Sequence, residues 1–184
     1  MRKLQIGVMG SAADLTYDKA VAAIAADVGR HIARNDAVLM FGAEKDCDSL
    51  STVACRAAKG AGGMTVGVTY GKGKGVWERD FVDVVIVSGL ERGGGRETAL
   101  ILSCDAVIAI SGGSGTLTEL AIAYQADIPM IALTGVGGWS EKLAGEYLDS
   151  RKRRVIYAAQ TAEEAVAIAI HEAKLQRDGE QRGV

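Results

Sequence analysis

The chain has 184 residues, of which 48% are hydrophobic, and its formal net charge is −2. These values predict one globular domain over residues 1–184 and argue against intrinsic disorder. No basic block suited to nucleic acid is present, and no apolar run approaches the roughly 20 residues that cross a bilayer. Three cysteines, an odd number without metal-type spacing, are typical of reduced thiols in a cytoplasmic protein.

Short apolar runs alternate with amphipathic stretches along the chain. The predicted strands are Leu4–Met9, Ala37–Phe41, Met64–Thr69, Val82–Val87, Ala106–Ile110, Pro129–Leu133 and Arg154–Tyr157. The predicted helices are Tyr17–Arg34, Ser49–Lys59, Arg96–Ser103, Thr116–Ala126 and Thr161–Leu175, and residues 176–184 are expected to be a frayed tail. This order predicts an α/β fold, a single Rossmann-like open parallel sheet of about seven strands with helices on both faces.

Glycines follow most of the predicted strands. Gly10 and Ser11 follow the first strand, Gly42 follows the second, and a basic loop, Gly71–Gly75, follows the third. In an open parallel sheet, ligands bind at the carboxyl ends of the strands, most often where the strand order reverses. Glycine lets a ligand approach the main chain because it has no Cβ. The pattern therefore predicts a crevice lined by backbone amides.

Three carboxylates follow the second strand. Glu44, Asp46 and Asp48 lie within five residues and offer oxygen ligands for a hard cation. Alternatively, the segment is a solvated loop in which Asp48 or Ser49 caps the next helix. We favour the cap, and the cluster does not by itself establish a metal site.

Arg96 follows three glycines, Gly93–Gly95, at a predicted helix start. A cation at this position opposes the helix dipole, so Arg96 is poorly placed to stabilise the helix. Arginine can clamp a phosphate through two parallel hydrogen bonds. The alternative is an exposed arginine paired with Glu91 or Glu97. We favour phosphate binding because the next glycine turn, 112–116, reaches the same edge of the sheet.

The segment 105–119 is the most informative one in the chain. The strand Ala106–Ile110 ends at Ser111, the turn Gly112-Gly113-Ser114-Gly115 follows, and a helix-start signal lies at Thr116. Strand, glycine turn and helix place free N–H groups where they bind an anion. Glu119 then faces a sugar hydroxyl or a leaving group as general acid or base. The alternative is a capping box of Thr116 and Glu119 without chemistry.

The run Ser111-Gly-Gly-Ser-Gly-Thr-Leu-Thr-Glu119 resembles the P-G-G-x-G-T-x-x-E signature of the Lonely Guy family, phosphoribohydrolases once called "lysine decarboxylases". Arg96 and Glu119 match the catalytic arginine and glutamate of that family. The similarity covers almost the whole chain. The turns Gly10-Ser11 and Gly137-Gly138-Trp139 more closely resemble a bacterial and archaeal branch that is similar to the molybdenum-cofactor carrier protein.

Several positions depart from the enzymes of this family. Ser111 replaces the signature proline, Glu97 stands where the enzymes carry lysine, and Gly95 stands where they place glutamate. The segment 42–50 replaces the enzymes' G-G-x-x-G-L-M motif. These changes spare the phosphate cradle and alter the surroundings in which a base or a pterin would lie.

Two functions follow from the residues and the resemblance. The first is a binder or carrier of a phosphorylated, nucleotide-like ligand such as molybdenum cofactor. The second is a hydrolase that releases ribose 5-phosphate from a nucleoside monophosphate. The ligand-binding set is Gly10, Ser11, Gly42, Arg96, Ser111, Gly112, Gly113, Ser114, Gly115, Thr116 and Glu119, with Arg96 and Glu119 catalytic in the hydrolase. No cofactor is required, and the resemblance implies a homo-oligomer, either a dimer or a tetramer.

Overall fold

The computed structural model describes residues 2–12, 16–93 and 95–182. In this part of the chain, seven strands form one parallel sheet: β1 Gln5–Gly10, β2 Val38–Gly42, β3 Met64–Thr69, β4 Val84–Val87, β5 Ala106–Ile110, β6 Met130–Leu133 and β7 Ile156–Ala159. The helices are α1 Lys19–Arg34, α2 Leu50–Gly60, α3 Arg96–Ile101, α4 Ser114–Gln125, α5 Gly138–Leu143 and α6 Ala162–Arg182. The predicted single-domain Rossmann-like α/β fold is confirmed.

The strand order reverses at the centre of the sheet. The order is β4-β3-β2-β1-β5-β6-β7, so the chain runs outward in one direction from β1 and in the other from β5. At the carboxyl ends of this central pair, Gly10 pairs with Ile110 in register. An open sheet leaves a crevice at such a switch point because the connections on either side lead away from it.

Helices cover both faces of the sheet. Ile6 and Val8 of β1 pack in one core cluster with residues of α1, α2 and α6. Met9 packs on the opposite face in a second cluster with residues of α3 and α4. Every residue of β5 is buried, as expected for a central parallel strand covered on both sides.

Most element boundaries differ from the sequence prediction by one to three residues, and the larger differences lie toward the C-terminus. Strand β7 begins at Ile156, two residues later than predicted, and α5 was not predicted because glycines surround its start. Helix α6 continues to Arg182 instead of ending at Leu175, so the segment expected to be frayed is helical from 176 to 182. Contacts to the body hold it: Arg154 donates to Gln176 (3.3 Å), and Arg177 donates to the Arg2 carbonyl (3.1 Å). Residues 183–184 lie outside the described ranges.

None of the helices in the described ranges combines the length and the hydrophobicity that a membrane crossing requires.

Gly29 lets α1 pack closely on α2. A Cβ at Gly29 would lie 2.0 Å from the carbonyl oxygen of Ala54 in α2. A methyl group at this site would force the two helices apart, because the obstacle is backbone and cannot rotate away.

We therefore expect Gly29→Ala to lower the free energy of unfolding by about 1–3 kcal/mol, the usual cost of overpacking. The matched control is Gly179→Ala in α6, where an added Cβ meets no atom within 4 Å. That control should be neutral, or more stable by about 0.5–1 kcal/mol, because alanine favours the helix. Urea unfolding followed by circular dichroism measures both. Equal stability of the two variants would contradict the close approach of α1 and α2.

Candidate functional site

A cavity of about 380 Å³ opens at the carboxyl ends of β1, β2 and β5, at the switch point of the sheet. Its volume lies within the range of small-molecule sites. The predicted site residues that line it are Gly10, Gly42, Arg96, Gly113, Ser114, Gly115, Thr116 and Glu119. The sequence thus predicts much of the wall, although its segments are far apart in the chain.

Three other predicted residues, Ser11, Ser111 and Gly112, shape the glycine turn and do not line the cavity. Ser111 has a φ of +57° and Gly112 a φ of +94°, so the chain turns sharply at the end of β5. The Gly112 amide donates to Ser11 Oγ (3.0 Å), and the Ser111 amide donates to Ser140 Oγ (2.8 Å). These two amides are therefore already engaged by the protein.

Helix α4 begins at Ser114, two residues earlier than predicted, and its N-cap is Gly113, which has no side chain to cap the helix. Thr116 is thus the third residue of the helix, and the capping-box interpretation of Thr116 and Glu119 is wrong. No acceptor among the described residues takes the amides of Ser114, Gly115 or Thr116. Three unpaired N–H groups consequently face the cavity, where the helix dipole favours an anion.

Arg96 is the first residue of α3 and is buried, with 4% of its surface exposed. Its Nη2 atom lies 3.3 Å from Glu44 and 3.2 Å from Glu97, whereas Nε and Nη1 are buried without a hydrogen-bond partner. A Cβ at Gly42 would lie 1.7 Å from Nη1, so only glycine fits there beside the guanidinium. The alternative interpretation, an exposed arginine paired with Glu91 or Glu97, is right about Glu97 as a partner and wrong about exposure, since Arg96 is buried between Glu44 and Glu97. Gly94, within the glycine run before it, lies outside the described residues.

Glu119 lines the cavity from the second turn of α4, and no described group donates a hydrogen bond to its carboxyl oxygens. Burial raises the pKa of Glu119 to about 7. Arg96 opposes this shift, and the carboxylates of Glu97 and Glu44 add to it. The group therefore exchanges a proton near neutral pH, the range in which general acids and bases work best.

The carboxylates that follow β2 turn to separate partners. Glu44 turns toward the cavity, Asp46 lies 3.4 Å from the Tyr70 hydroxyl, and Asp48 pairs with Arg56 (3.2 Å). In the part of the chain that the structure describes, no three metal-ligating side chains are grouped around one point. Ser49 caps α2 by accepting from the Thr52 amide (3.0 Å), which confirms the cap interpretation.

Sequence reasoning missed two acidic members of the site. The sequence places Glu44 in a loop cluster of carboxylates and offers Glu97 only as a partner of Arg96, yet the two residues are 7% and 5% exposed and both line the cavity. The sequence contains one signal for Glu44: it follows the end of β2 by two residues, at the edge of the sheet where the ligand site is expected. Together with Arg92 and Arg96, they give the cavity a near balance of charge. Such a site can bind a ligand that is anionic at one end and rich in hydrogen-bond donors at the other.

The sequence of the chain matches one family model and one relative from an archaeon. The sequence model of the SLOG cluster4 family matches residues 3–166. An uncharacterised protein of Archaeoglobus fulgidus is 33% identical over 125 residues, which are 68% of this chain and 76% of the relative.

Two solved structures share both the fold and part of the sequence. The molybdenum cofactor binding protein of Rippkaea orientalis superimposes with a TM-score of 0.77 at 29% identity, over 93% of this chain and 98% of that protein. The molybdenum cofactor carrier protein of Chlamydomonas reinhardtii gives a TM-score of 0.77 at 29% identity, over 94% and 99% of the two chains.

The raised pKa of Glu119 makes stability depend on pH. Between pH 4.5 and 7, the folded chain keeps a proton that the unfolded chain has released, so the free energy of unfolding falls as pH rises through this window. The loss is on the order of 3 kcal/mol, since one pKa unit corresponds to about 1.4 kcal/mol.

Glu119→Gln should remove this pH-dependent part of the free energy of unfolding. We expect the variant to match the wild type at pH 4 and to exceed its stability at pH 8, with urea unfolding as the measurement. Glu163→Gln, at an exposed position in the first turn of α6, is the control and should follow the wild type. A constant difference between Glu119→Gln and the wild type from pH 4 to 8 would show that Glu119 stays charged.

Proposed function

The chain belongs to the SLOG cluster4 family, and from this premise we propose that it binds a phosphorylated, pterin-type ligand in the cavity and acts as a carrier of molybdenum cofactor. In this proposal, the amides of Ser114, Gly115 and Thr116 receive the phosphate. Arg96 and Glu119 line the same cavity, and Glu119 faces the remainder of the ligand.

One observation carries the proposal: unsatisfied donors lie in and behind the wall of the same cavity. Three backbone amides at the start of α4 have no protein acceptor, and Arg96 Nε and Nη1 are buried without one. A buried donor left unsatisfied costs about 1–3 kcal/mol, and more when it is charged. An anion at this site would offset that cost, because a phosphate supplies several acceptor oxygens.

The protonation of Glu119 removes an objection to an anion in this cavity. A charged carboxylate beside a phosphate would repel it. With a pKa near 7, Glu119 is largely neutral below neutral pH, and an approaching phosphate would raise that pKa further. The carboxyl group can then donate a hydrogen bond to the ligand.

The first test loads the full chain with molybdenum cofactor under anaerobic conditions. We expect molybdenum and the pterin to co-elute with the protein on gel filtration. Gly42→Ala should weaken retention roughly tenfold to a hundredfold, because the methyl group would displace the Arg96 guanidinium and its charged hydrogen bonds.

The control is Gly60→Ala, at the end of α2, where an added Cβ meets no atom within 4 Å. It should retain the cofactor as the wild type does. Equal retention by Gly42→Ala and the wild type would contradict a role for Arg96, and no retention by the wild type would refute the carrier.

A second candidate is hydrolysis of a nucleoside monophosphate, and the environment of Glu119 favours it. An unbonded carboxyl with a pKa of about 7 beside an arginine can stabilise the positive charge that develops on a ribose ring. The departures around Gly95 and Glu97 weigh against it, because they replace the residues that flank the site in the enzymes.

The distinguishing assay incubates the protein with a panel of nucleoside monophosphates and measures released ribose 5-phosphate. We expect no turnover near 1 per second, an ordinary enzyme rate. Turnover at that rate that is lost in Glu119→Gln, while nucleotide affinity stays within a few-fold, would establish the hydrolase instead.

We also propose that the chain forms a homo-oligomer. Leu102, at the end of α3, is 59% exposed and lies in a groove that is also lined by Leu117 and Ile122 of α4. This apolar groove supports burial against another copy, and whether the assembly is a dimer or a tetramer stays a prediction.

A further inference from the structure

We propose that Glu44 selects the ring of the ligand: its free carboxylate oxygen accepts hydrogen bonds from a ring that presents adjacent N–H and NH₂ donors. A 2-amino-4-oxopyrimidine, the ring shared by pterins and guanine, is of this kind. The inference rests on the proposed function, since it concerns the same cavity and names the other end of the ligand.

Glu44 is held in place by the protein on one side only. Its Oε1 atom accepts from Arg96 Nη2 (3.3 Å) and lies 3.4 Å from Arg92 Nη2. Its backbone carbonyl accepts from the Trp77 amide at 2.7 Å, which fixes the start of the side chain. No described group donates to Oε2, although the residue is 93% buried and lines the cavity. The Oε2 atom of Glu44 is therefore a hydrogen-bond acceptor that faces the cavity without a donor from the described residues.

The chemistry of that donor is restricted. A phosphate offers acceptors at neutral pH and would be repelled by the carboxylate. A hard cation needs about six oxygen ligands, and no three metal-ligating side chains of the described residues are grouped around one point. Hydroxyl and nitrogen-bound hydrogens remain, and an ionised oxygen with two lone pairs can accept two of them in strong, charge-assisted bonds. Adjacent N–H and NH₂ groups on one planar ring present two such hydrogens in a fixed direction.

The placement of Glu44 suits the ring end of such a ligand. The unpaired amides follow β5 and Glu44 follows β2, with β1 between these two strands. Two strand spacings, about 10 Å, therefore separate the two ends of the site. Gly10 ends β1 between them and lines the floor of the cavity. A compact molecule with a phosphate at one end and a planar ring at the other fits across this floor.

Adenine is the natural comparison because it reverses the pattern. On its pairing edge it presents a ring-nitrogen acceptor where guanine presents an N–H donor, so the Glu44 oxygen would face another acceptor. A site built around a buried hydrogen bond rejects an analogue that lacks the partner. The selectivity should therefore depend on the ring and not on the phosphate.

The experiment measures the binding of GMP, AMP, guanosine and adenosine to the full chain by titration calorimetry. We expect the wild type to bind each guanine compound at least about tenfold more tightly than its adenine counterpart, the effect of one charged hydrogen bond. Glu44→Gln should reduce that ratio to about twofold or less. Glu163→Gln is the matched control and should keep the wild-type ratio.

Glu44→Asp is a second variant that keeps the charge beside Arg92 and Arg96 and withdraws the oxygen by one methylene. Glu44→Asp should also lose most of the preference for guanine over adenine compounds. It therefore decides the outcome if Glu44→Gln does not fold. A wild-type ratio near one, or a ratio unchanged in both variants, would overturn the assignment of Glu44.

The comparison of GMP with guanosine, which differ only in the phosphate, separates this inference from the proposed function. Equal binding of GMP and guanosine would count against the phosphate site, while the guanosine-to-adenosine ratio would still test Glu44. Binding of 6-hydroxymethylpterin that is tighter than that of guanosine, and is weakened in Glu44→Gln, assigns the ring to a pterin. The reverse order would contradict the carrier and keep the role of Glu44.

Discussion

The buried guanidinium of Arg96 is the group on which the geometry of the cavity depends. A charge taken out of water must be paired, and Glu44 and Glu97 pair it from the end of β2 and from the first turn of α3. The same guanidinium occupies the space beside Gly42 in which a larger residue would place its Cβ. The size of the Arg96 side chain thus explains the glycine at position 42. Its charge explains why Glu44 and Glu97 are buried beside it at the start of α3.

The turn after β5 is rigid because neighbouring segments use its hydrogen-bonding groups. Ser11 and Ser140 accept from the amides of Gly112 and Ser111, and a Cβ at Gly138 would collide with the backbone of the turn at 2.5 Å. Amides held in this way need not reorganise when a ligand binds. The unpaired amides that follow, at the start of α4, are therefore presented in a fixed direction, which favours binding by preorganisation.

Charge in the cavity is close to balance, and this distinguishes it from a simple phosphate pocket. Two arginines, Arg92 and Arg96, face Glu44, Glu97 and Glu119, and the pKa of Glu119 is about 7. A purely anionic ligand would meet three carboxyl groups, whereas a ligand with a phosphate and donor-rich ring would find partners for both ends. The similarity to molybdenum cofactor carrier proteins agrees with the second kind of ligand.

The sequence by itself determined the order of strands and helices, the glycine turns at the carboxyl edge and the importance of Arg96 and Glu119. These features follow from hydrophobic periodicity and from local backbone chemistry, which a short window of residues contains. Only the tertiary structure decided which amides are free and which carboxylates share the guanidinium. Gly112 is engaged by Ser11, about a hundred residues away, and Arg96 by Glu44, fifty-two residues away. Helix α5 likewise forms where Ser140 meets the turn after β5. Such pairings depend on how distant segments pack together, and no local pattern specifies that.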